Sequence, residues 1–232
     1  MSPVSRIQLA VFDVAGTTVL DGDAVATSLA DAIRLQGIRV SKREVLAVMG
    51  LPKPVAIRQL LASGNAERKD LQEITDQAHE DFRARIKHHY RCGAGIQPPV
   101  GIPDVFEVLR GAGIRVGLDT GFSRDILDVL LARMAWREGH EIDFTVASDE
   151  VARGRPHPDL IYHLMSRAQV TNPAQVAKIG DTPSDLEEGL AAGCGLVVGV
   201  AYGTHSRAEL ERPGVVVIDA ARELLRLVGL RW

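Results

Sequence analysis

The chain has 232 residues, 46% hydrophobic and 25% charged, enough to bury one large α/β domain or one domain carrying a smaller one. Aromatic residues make up only 4%, which argues against a base-stacking nucleic-acid platform. With 27 Lys and Arg against 30 Asp and Glu the net charge is −3, so no global basic field draws in a polyanion.

In chain order, residues 7–12 form a short apolar run bounded by Asp13 and Gly16, which predicts a buried parallel strand. From about Asp21 to Ile96 only helical periodicity appears, with candidate helices over 24–36, 42–48, 54–62 and a long charged one over 67–90. About 75 residues are too many for a simple crossover, so the stretch is expected to be a helical insertion. Its linkers are the Gly-containing stretches 16–22 and 93–99. Beyond it, strands over 114–118, 144–147, 176–179, 196–200 and 215–218 alternate with helices over 103–110, 123–136, 158–168, 183–192 and 220–227. This alternation predicts an α/β fold, a doubly wound, Rossmann-like parallel-sheet core formed by residues 1–20 and 97–232. Residues 21–96 are expected to form a helical cap, hinged above the strand ends, that excludes water from a reaction.

The two cysteines, Cys92 and Cys194, make neither a disulfide framework nor a metal-ligand spacing, which suits a reducing compartment. The N-terminal apolar run is too short for a signal segment, and no window approaches the roughly 18 apolar residues of a membrane span. A cytoplasmic protein without nucleic-acid or membrane partners is expected.

Four motifs fall at expected strand ends. Asp13, in VFDVAGTTV, can both attack phosphorus and ligate Mg²⁺, which prefers hard oxygen ligands. Gly16 and Thr17 suit a tight turn that brings the backbone close to an oxyanion. Thr120 and Gly121, after Asp119, offer a hydroxyl and free N–H groups to phosphoryl oxygens, although Thr120 or Ser123 taken alone would simply cap a helix. Arg155, in Gly154-Arg155-Pro156, can neutralise the nucleophile and the transferring group, with Arg153 as a competitor two residues earlier. Asp181 and Asp185, four residues apart in GDTPSD, straddle a strand-to-helix turn and can reach one metal.

In this order, and with a helical insertion after the first motif, the chain resembles the haloacid dehalogenase superfamily along essentially its whole length. The resemblance implies Mg²⁺ held by Asp13, the backbone carbonyl of Ala15 and Asp181, with Asp185 helping through water. Phosphatases of this superfamily usually carry a second Asp two residues after the nucleophile as the proton carrier; here that residue is Ala15. Ala at this place is similar to phosphonoacetaldehyde hydrolase (phosphonatase), in which a lysine condenses with the substrate aldehyde and the imine absorbs the electrons of the broken C–P bond. Met49-Gly50-Leu51-Pro52-Lys53 looks like the cap motif of that family and implies that Lys53 is the Schiff-base lysine. Pro54 suits the first turn of a helix, and a helix N-terminus with partial desolvation favours the free amine of Lys53.

The chain departs from phosphonatase at three places. The usual His three residues after the lysine is Ala56, an aromatic hydroxyl after Thr120-Gly121 is replaced by Phe122, and the C-terminal part is short. Asp21, Asp23 and His205 are candidate replacement proton carriers, and His79, His88 and His89 are expected to be solvated. The expected site therefore comprises Asp13, Lys53, Thr120 and Arg155 as catalytic residues, with Ala15, Gly16, Thr17, Met49 and Gly121 binding substrate. The expected activity is Mg²⁺-dependent cleavage of phosphonoacetaldehyde or a related aldehyde phosphonate. The alternatives are a phosphatase of small phosphate esters, with Lys53 only binding substrate, and a non-turnover phosphate sensor. The resemblance also suggests a homodimer through the cap.

Overall fold

Six short apolar runs line up as one parallel sheet in the computed structural model, which describes residues 7–64 and 69–231. They are β1 (Leu9–Asp13), β2 (Arg115–Thr120), β3 (Phe144–Ala147), β4 (Val176–Gly180), β5 (Leu196–Val200) and β6 (Val216–Ile218), in the order β3-β2-β1-β4-β5-β6. Every residue of β1 and β4 is buried, because such a sheet is covered on both faces. Register then decides where the chemistry can sit. Asp13 pairs with Asp119 across β1 and β2, and Phe12 pairs with Ile179 across β1 and β4. Three carboxyl ends therefore stop at one level, beside β1, where the strand order reverses and α/β sheets open a crevice.

Four helices follow β1 before the chain returns to the sheet: α1 (Ala24–Leu35), α2 (Lys42–Ala47), α3 (Lys53–Gly64) and α4 (Leu71–Cys92). On α4 the buried residues Ala78, Phe82, Ile86 and Tyr90 recur every four positions, so one stripe faces inward and the charged remainder faces out. Burying a side chain such as Phe82 or Ile86 contributes about 1.5–3 kcal/mol. Ser41 and Glu44 close a capping box at the start of α2. The two connections to the sheet run side by side: Leu20 and Gln97 exchange backbone hydrogen bonds of 2.9 and 3.2 Å, and the Tyr90 hydroxyl donates to Asp21 at 2.8 Å.

The remaining helices are α5 (Ile102–Gly111), α6 (Arg124–Met134), α7 (Asp159–Ala168), α8 (Pro183–Ala192), α9 (Arg207–Leu210) and α10 (Glu223–Leu227). Several bounds differ from the periodicity. Residue 67, the expected start of the long helix, lies outside the described residues. α6 stops at Met134 because Ala135 turns to φ 57°, which returns Trp136 to the core 5.4 Å from Phe106. α10 begins at Glu223, whose carboxylate takes the N–H groups of Asp219 and Ala220. The four-residue α9 was not expected, since one turn carries too little periodicity to register. Among the described residues no helix is long and apolar enough to cross a membrane.

Candidate active site

The turn after β1 sets the site. The Thr18 hydroxyl donates to the Asp13 carbonyl at 3.0 Å, and the Gly16 N–H donates to the Val19 carbonyl at 2.8 Å. Gly16 has φ +94°, and a Cβ there would collide with the Asp181 carboxylate. The Thr17 hydroxyl donates to Asp181 Oδ1 at 3.0 Å, and the Thr204 N–H to Oδ2 at 2.7 Å. The Thr17 side chain thus holds Asp181, and Gly16 packs against the same carboxylate. The physical reason is that the buried Asp181 carboxylate needs donors, and this turn supplies one.

Asp13, Asp181 and Asp185 place one oxygen each within 4.8 Å of one another, all buried. Asp185 also caps α8, accepting from the Thr182 hydroxyl at 2.6 Å, while its Oδ1 lies 2.9 Å from Arg155 Nη1. Burial raises the Asp13 carboxyl to about 8, with Asp185 and Asp181 pushing the same way against Arg155. Burial, then Asp185, likewise raises Asp181. Three clustered buried carboxylates are a hard-oxygen donor set that fits a divalent cation.

Arg155 follows β3 and is itself buried. Its Nη1 donates to Asp13 Oδ1 at 2.6 Å, its Nε to Glu188 Oε2 at 3.0 Å, and its Nη2 to Asp119 Oδ1. The competing Arg153 is exposed and pairs with Asp159 at 2.9 Å. Lys178, inside β4, donates to both oxygens of Asp119 at 2.5 and 2.6 Å and lies 2.9 Å from Glu188. The oxygens of Asp119, Asp185 and Glu188 also converge, but Lys178 and Arg155 already supply the cations there.

Lys178, Glu188 and the buried charge of Asp119 were missed in the sequence. A usable signal existed: a lysine inside an otherwise apolar strand, and an acid three residues after Asp185 on the same helix face.

Lys53 is delivered to the same place by helix α3. It is 4% exposed and opens α3, and its Nζ donates to the Leu51 carbonyl at 3.2 Å and lies 5.2 Å from the centre of the Phe122 ring. Burial lowers its amine to about 8, opposed mainly by Asp13. The approach of the cap depends on core glycines. A Cβ on Gly121 would sit 2.6 Å from the Leu51 carbonyl and 2.7 Å from that of Gly50, and one on Gly154 would strike Pro52. With the cap in this position a cavity of about 20 Å³ remains, lined by Asp13, Ala15, Met49, Lys53, Thr120, Gly121 and Arg155, among others. That holds about one water.

Of the other candidates, Asp23 and His88 are exposed, His205 is buried, and Asp21 accepts from Tyr90. His79 and His89, expected in solvent, are half-buried because α4 packs against both α3 and α6.

Residues 7–193 match the family model of haloacid dehalogenase-like hydrolases. The chain is 30% identical over 237 residues to a phosphonoacetaldehyde hydrolase of Bacillus cytotoxicus, covering 95% of this chain and 87% of that one. It is 32% identical over 242 residues to another from Syntrophobacter fumaroxidans, covering 97% and 84%. A solved phosphonoacetaldehyde hydrolase-like protein from Oleispira antarctica shares the fold, with a TM-score of 0.79 at 24% identity over 97% of this chain and 92% of that one. So does a β-phosphoglucomutase from Clostridium difficile, with a TM-score of 0.75 at 16% identity over 94% and 93%. The chain belongs to the haloacid dehalogenase-like hydrolases.

Proposed function

We propose that the protein hydrolyses the carbon–phosphorus bond of phosphonoacetaldehyde or a close aldehyde phosphonate, with Asp13 as nucleophile and Lys53 as the imine-forming amine. One observation carries the reading: the buried amine of Lys53 and the carboxylate of Asp13 line one small cavity, where residue 15 is an alanine. The relatives named phosphonoacetaldehyde hydrolase support it. The rest of the lining includes Val25, Met49 and Phe122, which offer no partners to the hydroxyls of a sugar phosphate.

In this reading Lys53 adds to the aldehyde carbon, and loss of water leaves a protonated imine. An oxygen of Asp13 attacks phosphorus, the C–P bond breaks, and its electron pair enters the imine to give an enamine. Asp13 is left as an aspartyl phosphate. The enamine takes a proton at carbon and water releases the aldehyde from Lys53, while a second water frees phosphate from Asp13. Ala15 cannot donate a proton to a leaving group, and the imine removes that need. Arg155 and Thr120 would bind the phosphoryl oxygens. Asp13, the Ala15 carbonyl, Asp181 and Asp185 would hold Mg²⁺, which supplies charge for the phosphoryl oxygens. Helices α1–α4, within residues 21–96, act as a cap domain that lifts to admit substrate and closes to exclude water.

Borohydride added with phosphonoacetaldehyde should inactivate the wild type and leave a reduced adduct on Lys53, while Lys53→Ala forms none. Phosphate release from sugar phosphates but not from the phosphonate, with Lys53→Ala only raising KM, would replace this reading with ester hydrolysis.

A further inference from the structure

Behind Arg155 lie three charged groups without a role in the chemistry above. Asp119 on β2, Lys178 on β4 and Glu188 on α8 have side chains with no exposure at all. A fully buried ion network is a poor route to stability, because apolar residues of similar volume usually serve as well or better. Its presence in the second layer of a site calls for another account, and the geometry gives one.

A guanidinium presents its N–H groups as a rigid planar fork. Here the fork is held on three sides. Nε donates to Glu188 at 3.0 Å, Nη2 to Asp119, and Nη1 is left to meet Asp13 at 2.6 Å and Asp185 at 2.9 Å. Lys178 ties the two rear acceptors together, reaching Asp119 at 2.5 and 2.6 Å and Glu188 at 2.9 Å. It also balances their charge; without it, Arg155 alone would face both rear carboxylates. Room for the lysine is built in, since a Cβ on Gly189 would sit 2.9 Å from its Cβ.

We infer that Asp119, Lys178 and Glu188 are positioning residues that lock the rotation of the Arg155 guanidinium, so that its charge faces the phosphoryl group taken up by Asp13. The inference rests on Asp13 as nucleophile and is independent of whether the substrate is a phosphonate or an ester.

Beryllofluoride, which mimics an aspartyl phosphate, tests it without any substrate. With Mg²⁺ present, binding is followed by fluorine NMR for the wild type, Glu188→Gln and Asp119→Asn, and Mg²⁺ affinity is measured separately by calorimetry. Each variant is near-isosteric, and either alone suffices if the other fails to fold. The expected result is a loss of beryllofluoride affinity of roughly 10-fold or more, as for other outer-layer partners of reactive groups, with Mg²⁺ affinity little changed. In an Arg155→Lys background, which keeps the charge but has no fork to clamp, adding Glu188→Gln should cost nothing further. Wild-type affinity in both single variants, or an equal additional loss in the Arg155→Lys background, would overturn the inference. Undiminished binding by Asp13→Asn would overturn the nucleophile on which it stands.

Discussion

The ammonium nitrogen of Lys53 lies 5.2 Å from the centre of the Phe122 ring, so a lysine of the cap is seated on an aromatic face of the core rather than in solvent. The contact joins two segments that carry no sequence signal of each other. It also makes the state of the amine depend on this packing, because burial is the main cause of its lowered pKa.

Lys53 is therefore expected to titrate near 8 in the folded protein. Adduct formation with an aldehyde should rise with pH through that value and then level off. The ordinary lysine value of 10.5 applies on unfolding, so between about 8 and 10.5 the unfolded state binds more protons and stability rises with pH. Lys53→Met should flatten this rise and add on the order of 1–3 kcal/mol below it. Denaturant unfolding across this pH range checks both signs.

A second expectation concerns metal and protons together. The Asp13 carboxyl is raised from 3.8 to about 8, so between these values the metal-free folded state binds more protons and loses stability as pH rises. A divalent cation competes with those protons. Millimolar Mg²⁺ should raise Tm by several degrees at about pH 8.5 and scarcely at about pH 5. Asp181→Asn should abolish the gain. An equal Mg²⁺ effect at both pH values would remove the buried acid cluster as its site.

Cap closure can be tested by one methyl group. A Cβ on Gly121 would meet the Leu51 and Gly50 carbonyls at 2.6 and 2.7 Å, and backbone atoms yield poorly. Gly121→Ala should therefore hold the cap off the core and reduce kcat by roughly 10- to 100-fold through misplacement of Lys53, with little change in Tm. Steady-state rates and a thermal melt separate this outcome from general destabilisation.

Helix α4 is pinned to α6 by charge. Arg83 and Lys87 of α4 donate to Asp125 Oδ2 of α6 at 2.9 and 2.6 Å. The Asp125 carboxyl is held below its usual range by hydrogen bonds from Lys87, Ser123 and Arg83, which outweigh its desolvation. Because these groups are partly exposed, Asp125→Ala should cost only about 1 kcal/mol, and less in high salt. Stability from this pair is present above the usual aspartate range and fades as pH falls through the lowered value. Urea melts at two salt concentrations check the size and the screening.

Sequence by itself determined what depends on neighbours along the chain. The strands Phe144–Ala147 and Leu196–Val200 and the helix Pro183–Ala192 were legible from end to end, because a short apolar run or a proline-started, glycine-ended amphipathic stretch is a local pattern. Asp13 and Asp181 stood out because parallel strands end at the same edge of the sheet, so an acid just past an apolar run is placed there whatever lies between. The Lys53 motif was legible through its neighbours and the alanine at position 15.

Tertiary structure alone decided which of these groups touch. Thr17 binds Asp181 across 164 positions, and Arg155 binds Asp13 across 142. Strand register also brings Asp181 against the turn residues Gly16 and Thr17. Lys178 and Glu188 read as ordinary charges until β4 and α8 bring them against each other, Asp119 and Arg155. The reason is physical: periodicity records burial relative to adjacent residues, whereas the pairing of buried charges is set by desolvation, which exists only once the sheet and the cap have closed around them.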